Sequence, residues 1–221
     1  MQRSNVLLRF DLNISILLKE FPFIERFAHA ARLGFGAVEF WWPAGEDLAA
    51  VAEQIRTHKL HVALMNFDAG NMAAGERGFL NDTNKRDWFR SHVPLAVEFA
   101  SRIGCPQLNA LVGNTIADVS REAQLECVRE NLAWVADYVA SAGLGVVVEA
   151  LNSIENLRYL LTNTRDTLKL LHEVNRPNLK FQYDYYHMQR MEGNLIATVR
   201  KHIGHIGHIQ IADSPRQQPV I

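Results

Sequence analysis

The chain has 221 residues, 48% apolar and 21% charged, with a formal net charge of −1, which suits one α/β domain with a sizeable core and the composition of a soluble enzyme. The near-neutral balance offers no footprint for a nucleic-acid backbone, and no apolar run approaches the ~18 residues of a membrane-crossing helix. Two cysteines, Cys105 and Cys127, stand far apart without a CxxC, so a reducing cytoplasm with both as small core residues fits better than a disulfide framework.

At the start, "MQRSNVLLRFDLN" has a short apolar stretch and no small-residue cleavage site, so it reads as a first strand over 6–13 and not as a signal peptide. "FPFIERFAHAARLG" (21–34) follows as an amphipathic helix closed by Gly, which accepts positive φ cheaply. Further short β-rich runs come at 37–42 ("AVEFWW"), 61–67 ("HVALMNF"), 106–113 ("PQLNALVG"), 145–152 ("GVVVEALN"), 179–187 ("LKFQYDYYH") and 206–213 ("IGHIQIAD"). The longest helical pattern, 121–143, keeps Leu125, Val128, Leu132, Val135 and Val139 on one face. Strand and helix alternate throughout, and several strands are apolar at nearly every position, as in a parallel sheet covered on both faces.

No linker, low-complexity tract or charge block interrupts residues 1–221, which read as a single domain. A doubly wound sheet should carry a Gly-rich phosphate turn after an early strand, and none follows the first three runs. Polar residues instead stand at strand ends: Asn13, Glu39, Asn66, Asn109, Glu149, Asp184 and Gln210. That placement is the one a TIM-type (β/α)8 barrel uses to build an active site. Only seven strands are legible before "SPRQQPVI" ends the sequence. The expectation is therefore a barrel truncated after its seventh strand, lacking the eighth strand and final helix.

Glu149, Asp184 and Gln210 end three consecutive strands, which converge on one mouth in a parallel barrel. Two carboxylates and an amide oxygen form an all-oxygen set suited to Mg²⁺ or Mn²⁺. Each also has a structural alternative: an ion pair with an Arg for Glu149, a helix N-cap for Asp184, an interior hydrogen bond for Gln210. His187, three residues past Asp184, could orient a substrate oxygen or assist a proton transfer. Arg216 could take a substrate carboxylate in its planar fork, and Asn66 and Asn109 are candidate substrate contacts. His202, His205 and His208 repeat at a spacing of three, but the first two belong to a helix end and turn while the third lies in a strand. "NFDAGNMAAGERG" (66–78) could shape a pocket or act as a lid, with Trp41 and Trp42 as possible walls.

Taken together, "DLNISILLKEFPFIERFAHAARLGFGAVEFWWP", "NFDAGNMAAGERG", "LNALVGN", "VVVEALN", "RPNLKFQYDYYHMQRMEGNL" and "GHIQIADSPRQQP" resemble the hydroxypyruvate isomerases, within the xylose isomerase-like TIM barrels. The resemblance spans nearly the whole chain. It implies that Glu149, Asp184 and Gln210 are three metal ligands, that Glu149 is one of two catalytic glutamates, and that His187 and Arg216 contact substrate. It also implies a small hydroxy-oxo acid substrate, interconversion of hydroxypyruvate and tartronate semialdehyde through an enediolate, and compatibility with a homo-oligomer. The family's second catalytic glutamate lies on strand eight in a "GCEY"-like motif that this sequence does not contain, so impaired activity is expected. The alternatives are a 2-oxo-tetronate isomerase or ketose epimerase of the same superfamily and, from another class, a non-catalytic truncated barrel.

Overall fold

The computed structural model of the chain describes residues 8–213. Seven strands are present among them: β1 (Leu12–Asn13), β2 (Ala37–Phe40), β3 (His61–Asn66), β4 (Gln107–Asn109), β5 (Gly145–Glu149), β6 (Leu179–Asp184) and β7 (Ile206–Gln210). Seven α-helices accompany them: α1 (Phe23–Arg32), α2 (Leu48–Thr57), α3 (Arg86–Arg102), α4 (Arg121–Ala140), α5 (Thr164–Val174), α6 (Tyr185–Met191) and α7 (Leu195–His202). All seven runs read as strands from the sequence contain one. From β2 onward the observed strands end earlier than the sequence runs, five of them at a polar residue: Asn66, Asn109, Glu149, Asp184 and Gln210. Most of the expected first strand lies outside the described residues or outside the ladder.

All neighbouring strands pair in parallel, in the order β1-β2-β3-β4-β5-β6-β7. A doubly wound sheet would reverse its strand order part-way; this one never does. The sheet is also rolled. His208 on β7 meets Glu39 on β2 at 2.7 Å between Nε2 and Oε2. Five strand steps on a flat sheet would separate them by about 24 Å at ~4.8 Å per step. The described residues therefore form a (β/α) barrel wall of seven strands, with helices outside.

Alternation along each strand divides the side chains between the two faces. On β5, Val146 and Val148 face the helical layer and are fully buried, as are Phe181 and Tyr183 on β6. α4 covers this part of the sheet with Val128, Leu132, Val135, Ala136 and Val139, all 0% exposed. These are the positions its 3.6-residue apolar stripe requires. Ser120 starts α4 by accepting the Ala123 N–H, and Gly143 with φ +72° follows its end. The inner face carries the polar strand-end residues.

Candidate active site

Glu149 ends β5, where it stands in register with Gln182 of β6. Asp184 ends β6 two residues later and starts α6. One carboxylate oxygen of Asp184 accepts the N–H groups of Tyr186 (2.7 Å) and His187 (3.4 Å) as the α6 N-cap. Its other oxygen faces His187 Nε2 at 3.6 Å. The structural and functional readings of Asp184 are thus compatible, one oxygen serving each.

Glu149 is 6% exposed. Its Oε2 accepts from the Asn109 amide at 3.2 Å, and its Oε1 lies 3.8 Å from His187 Nε2. Glu149, Asp184 and His187 are all buried and offer donor atoms within 4.8 Å of one another. Asn109 Oδ1, also buried, has no hydrogen-bond partner among the described residues. Two carboxylates beside an unsatisfied amide oxygen fit a hard divalent cation.

Gln210 takes a different course. It is hydrogen-bonded to Gln182 Nε2 through its Oε1 (2.9 Å), and its own amide donates to Glu39. Glu39 also accepts from Asn13 (2.7 Å) and meets His208, so β1, β2 and β7 share one polar network across the barrel interior. Asp11 joins this group: Asp11, Glu39 and His208 also have donor atoms within 4.8 Å of one another. Burial, with the charge of Glu39, raises the Asp11 pKa to about 6, against an opposing effect of His208. Burial works against a charged His208, yet the Glu39 hydrogen bond and the charges of Glu39 and Asp11 leave its pKa raised. His208 is therefore engaged across the barrel, away from the exposed His205. Arg216 lies outside the described residues.

Asn66 stands in register with Asn109 and lines a cleft of about 540 Å³ with Trp41, Trp42, Phe67 and Asp68. Asn109, which holds Glu149, does not itself line that cleft; its strand neighbour Asn66 does. The 66–78 loop is pinned by specific contacts. Gly78 bridges Val112, and Arg77 donates to Asn156 (3.0 Å) and the Met72 carbonyl (2.9 Å).

Sequence reasoning passed over Asn152 and Glu155. Asn152 is fully buried behind His187. Glu155 binds the Tyr186 hydroxyl and Arg190 (3.2 Å). Asn152 is the last residue of the "VVVEALN" run and Glu155 lies three residues beyond it; an Asn and a Glu near a strand-end carboxylate were the available signal.

The model of the family described as "Xylose isomerase-like TIM barrel" matches residues 27–219. The hydroxypyruvate isomerase of Escherichia coli (strain K12) is 39% identical over 211 residues, 96% of this chain and 82% of that protein. A 2-oxo-tetronate isomerase of Cupriavidus necator is 36% identical over 212 residues, again 96% of this chain and 82% of the relative. Among solved structures, one described as an AP endonuclease, family 2, from Brucella melitensis superposes with a TM-score of 0.90 at 37% identity, covering 95% of this chain and 81% of that one. Sequence and shape agree with the strand order: the chain belongs to the xylose isomerase-like TIM barrel family, within its hydroxypyruvate isomerase group of isomerases.

Proposed function

We propose that the chain interconverts hydroxypyruvate and 2-hydroxy-3-oxopropanoate, with Glu149 as a proton-transferring base. The observation that carries this reading is the buried cluster of Glu149, Asp184 and His187 at the ends of β5 and β6. In the forward direction Glu149 takes a proton from C3 of hydroxypyruvate, leaving an enediolate across C2 and C3. A proton returns to C2, and the hydroxyl proton on O3 ends on O2, so the product is an isomer with nothing gained or lost. Glu149 and Asp184 would hold a divalent cation such as Mg²⁺ or Mn²⁺, with Asn109 Oδ1 beside them; when bound, such a cation polarises a substrate carbonyl. Gln210 would have to exchange its Glu39 hydrogen bond to join them.

The Asn109 amide holds one Glu149 oxygen and leaves the other toward His187. Burial of all three side chains excludes bulk water, which strengthens each polar interaction with a substrate oxygen. Asn66 would contact substrate from the adjoining cleft. Isomerisation of a 2-oxo-tetronate is the second reading, supported by the 36% identical relative of that name. The endonuclease name of the structural neighbour is not carried over, because each donor cluster among the described residues contains a single His and the net charge is −1.

The test is a substrate panel. The purified chain is incubated with Mg²⁺ and hydroxypyruvate, a 2-oxo-tetronate or a ketose, and products are followed by NMR. Turnover of hydroxypyruvate above the other two supports the first reading. Preference for the tetronate replaces it with the second, and no turnover of any removes both.

A further inference from the structure

We infer that Asn152 is a positioning residue that fixes the tautomer of His187, holding the ring proton on Nε2 toward Glu149 and Asp184. His187 then serves the site as a hydrogen-bond donor to a substrate oxygen and not as a cation ligand. The role in turnover rests on the isomerase reading above; the tautomer does not.

Two donors converge on His187 Nδ1. One is the Asn152 backbone N–H, at 3.2 Å, and a peptide N–H can only donate. The other is the Asn152 side-chain Nδ2, at 2.7 Å. The orientation of that amide is settled by its other end. Oδ1 accepts the backbone N–H groups of Ile154 (3.2 Å) and Glu155 (2.9 Å), so the NH₂ group must be the end that faces the imidazole. Nδ2 also reaches a Glu155 carboxylate oxygen at 3.2 Å, which only an NH₂ group could approach as a donor.

Nδ1 therefore presents its lone pair, and a neutral imidazole carries its one proton on the opposite nitrogen. That nitrogen, Nε2, lies 3.6 Å from Asp184 Oδ2 and 3.8 Å from Glu149 Oε1, both acceptors. Cation ligation through Nε2 would require the proton to move to Nδ1. There it would meet two N–H donors in a pocket where Asn152 is 0% exposed and water cannot intervene. The ring sits among the carboxylates as a ligand would, but with the wrong nitrogen protonated for that task.

The test is a long-range ¹H–¹⁵N correlation spectrum of the 221-residue chain labelled at histidine, with His187 assigned from the spectrum of a His187→Gln variant. The expected result is a pyridine-type Nδ1 and a pyrrole-type Nε2 at neutral pH, both unchanged by Mg²⁺. A pyrrole-type Nδ1, or an Nε2 that loses its proton when Mg²⁺ is added, overturns the inference. Asn152→Asp keeps the acceptor for Ile154 and Glu155 but replaces the donor facing Nδ1. It should move the proton toward Nδ1 and lower kcat by about 10²–10⁴-fold, with KM changed far less. A folded Asn152→Asp chain with wild-type tautomer and kcat contradicts the inference. The wild-type spectrum decides the tautomer even if that variant does not fold. An inactive wild type with the Nε2–H form counts against the isomerase reading and for the tautomer lock.

Discussion

The β5–β6 wall and β7 are built from the same parallel pairing, yet their surroundings differ. On β5 and β6 nearly every residue is buried, including the outward Val146, Val148, Phe181 and Tyr183. On β7 no residue is fully buried; the outward Ile209 is 38% exposed, and Ile211 just past the strand is 60% exposed. α7 likewise has no buried residue, where α4 has eight. β6 is paired along both edges, whereas among the described residues β7 pairs only with β6. The lesson concerns the site. Glu149 and Asp184 stand on the supported wall, where packing locks their rotamers and preorganises them. Gln210 stands on the other, and its amide goes to Glu39 and Gln182.

The sharpest way to break this comparison is a pair of truncations. Phe181→Ala removes a fully buried ring that packs edge-on against Tyr183 at 5.4 Å. It should cost about 3–5 kcal/mol of unfolding free energy by urea denaturation. A loss below about 1 kcal/mol would mean the wall is not packed as described. Next comes the loop that overhangs the cleft. Gly78 has φ +88°, and a Cβ there would sit 2.0 Å from the Leu111 carbonyl oxygen. Gly78→Ala should therefore destabilise by at least about 2 kcal/mol, read as a lowered Tm, and raise KM by displacing Asn71 and Met72 at the cleft. Ile209→Ala, on β7, should cost under about 1 kcal/mol. An effect as large as that of Phe181→Ala would erase the distinction between the two walls.

A further prediction concerns pH. The Asp11 pKa is raised from 3.8 to about 6, by burial first and Glu39 second. A carboxyl with a raised folded pKa binds its proton more tightly in the native state. Its contribution is full below the unfolded pKa and is lost as pH rises through the folded one. Wild type should thus lose stability relative to Asp11→Asn between about pH 4 and pH 6. Parallel pH profiles for the two chains would show that Asp11 titrates normally.

Strand number, order and the site carboxylates were legible because a parallel strand covered on both faces writes itself as an apolar run. A polar residue ending such a run then stands out, as Glu149 and Asp184 do. The fate of Gln210 was not legible. It depends on the roll of the sheet bringing β2 against β7, a long-range closure that no local pattern encodes. That His208 stands apart from His202 and His205 was legible, since it alone lies in a strand; its partner Glu39 across the interior was not, for the same reason. Asn152 escaped notice because an Asn after a strand reads as an ordinary turn residue, and its Oδ1 does serve the turn. Only the fold shows that its other end faces an imidazole 35 residues away in sequence.

The central claim is that Glu149, held by Asn109 on the supported wall, moves the substrate proton. The most direct measurement is deuterium incorporation at C3 of hydroxypyruvate in D₂O with Mg²⁺, comparing wild type with Glu149→Gln by NMR. The amide keeps the shape but cannot act as a base, so exchange should fall by about 10²–10⁴-fold while the Tm stays close to that of wild type. Equal exchange in the two chains would contradict the assignment of Glu149 as the base.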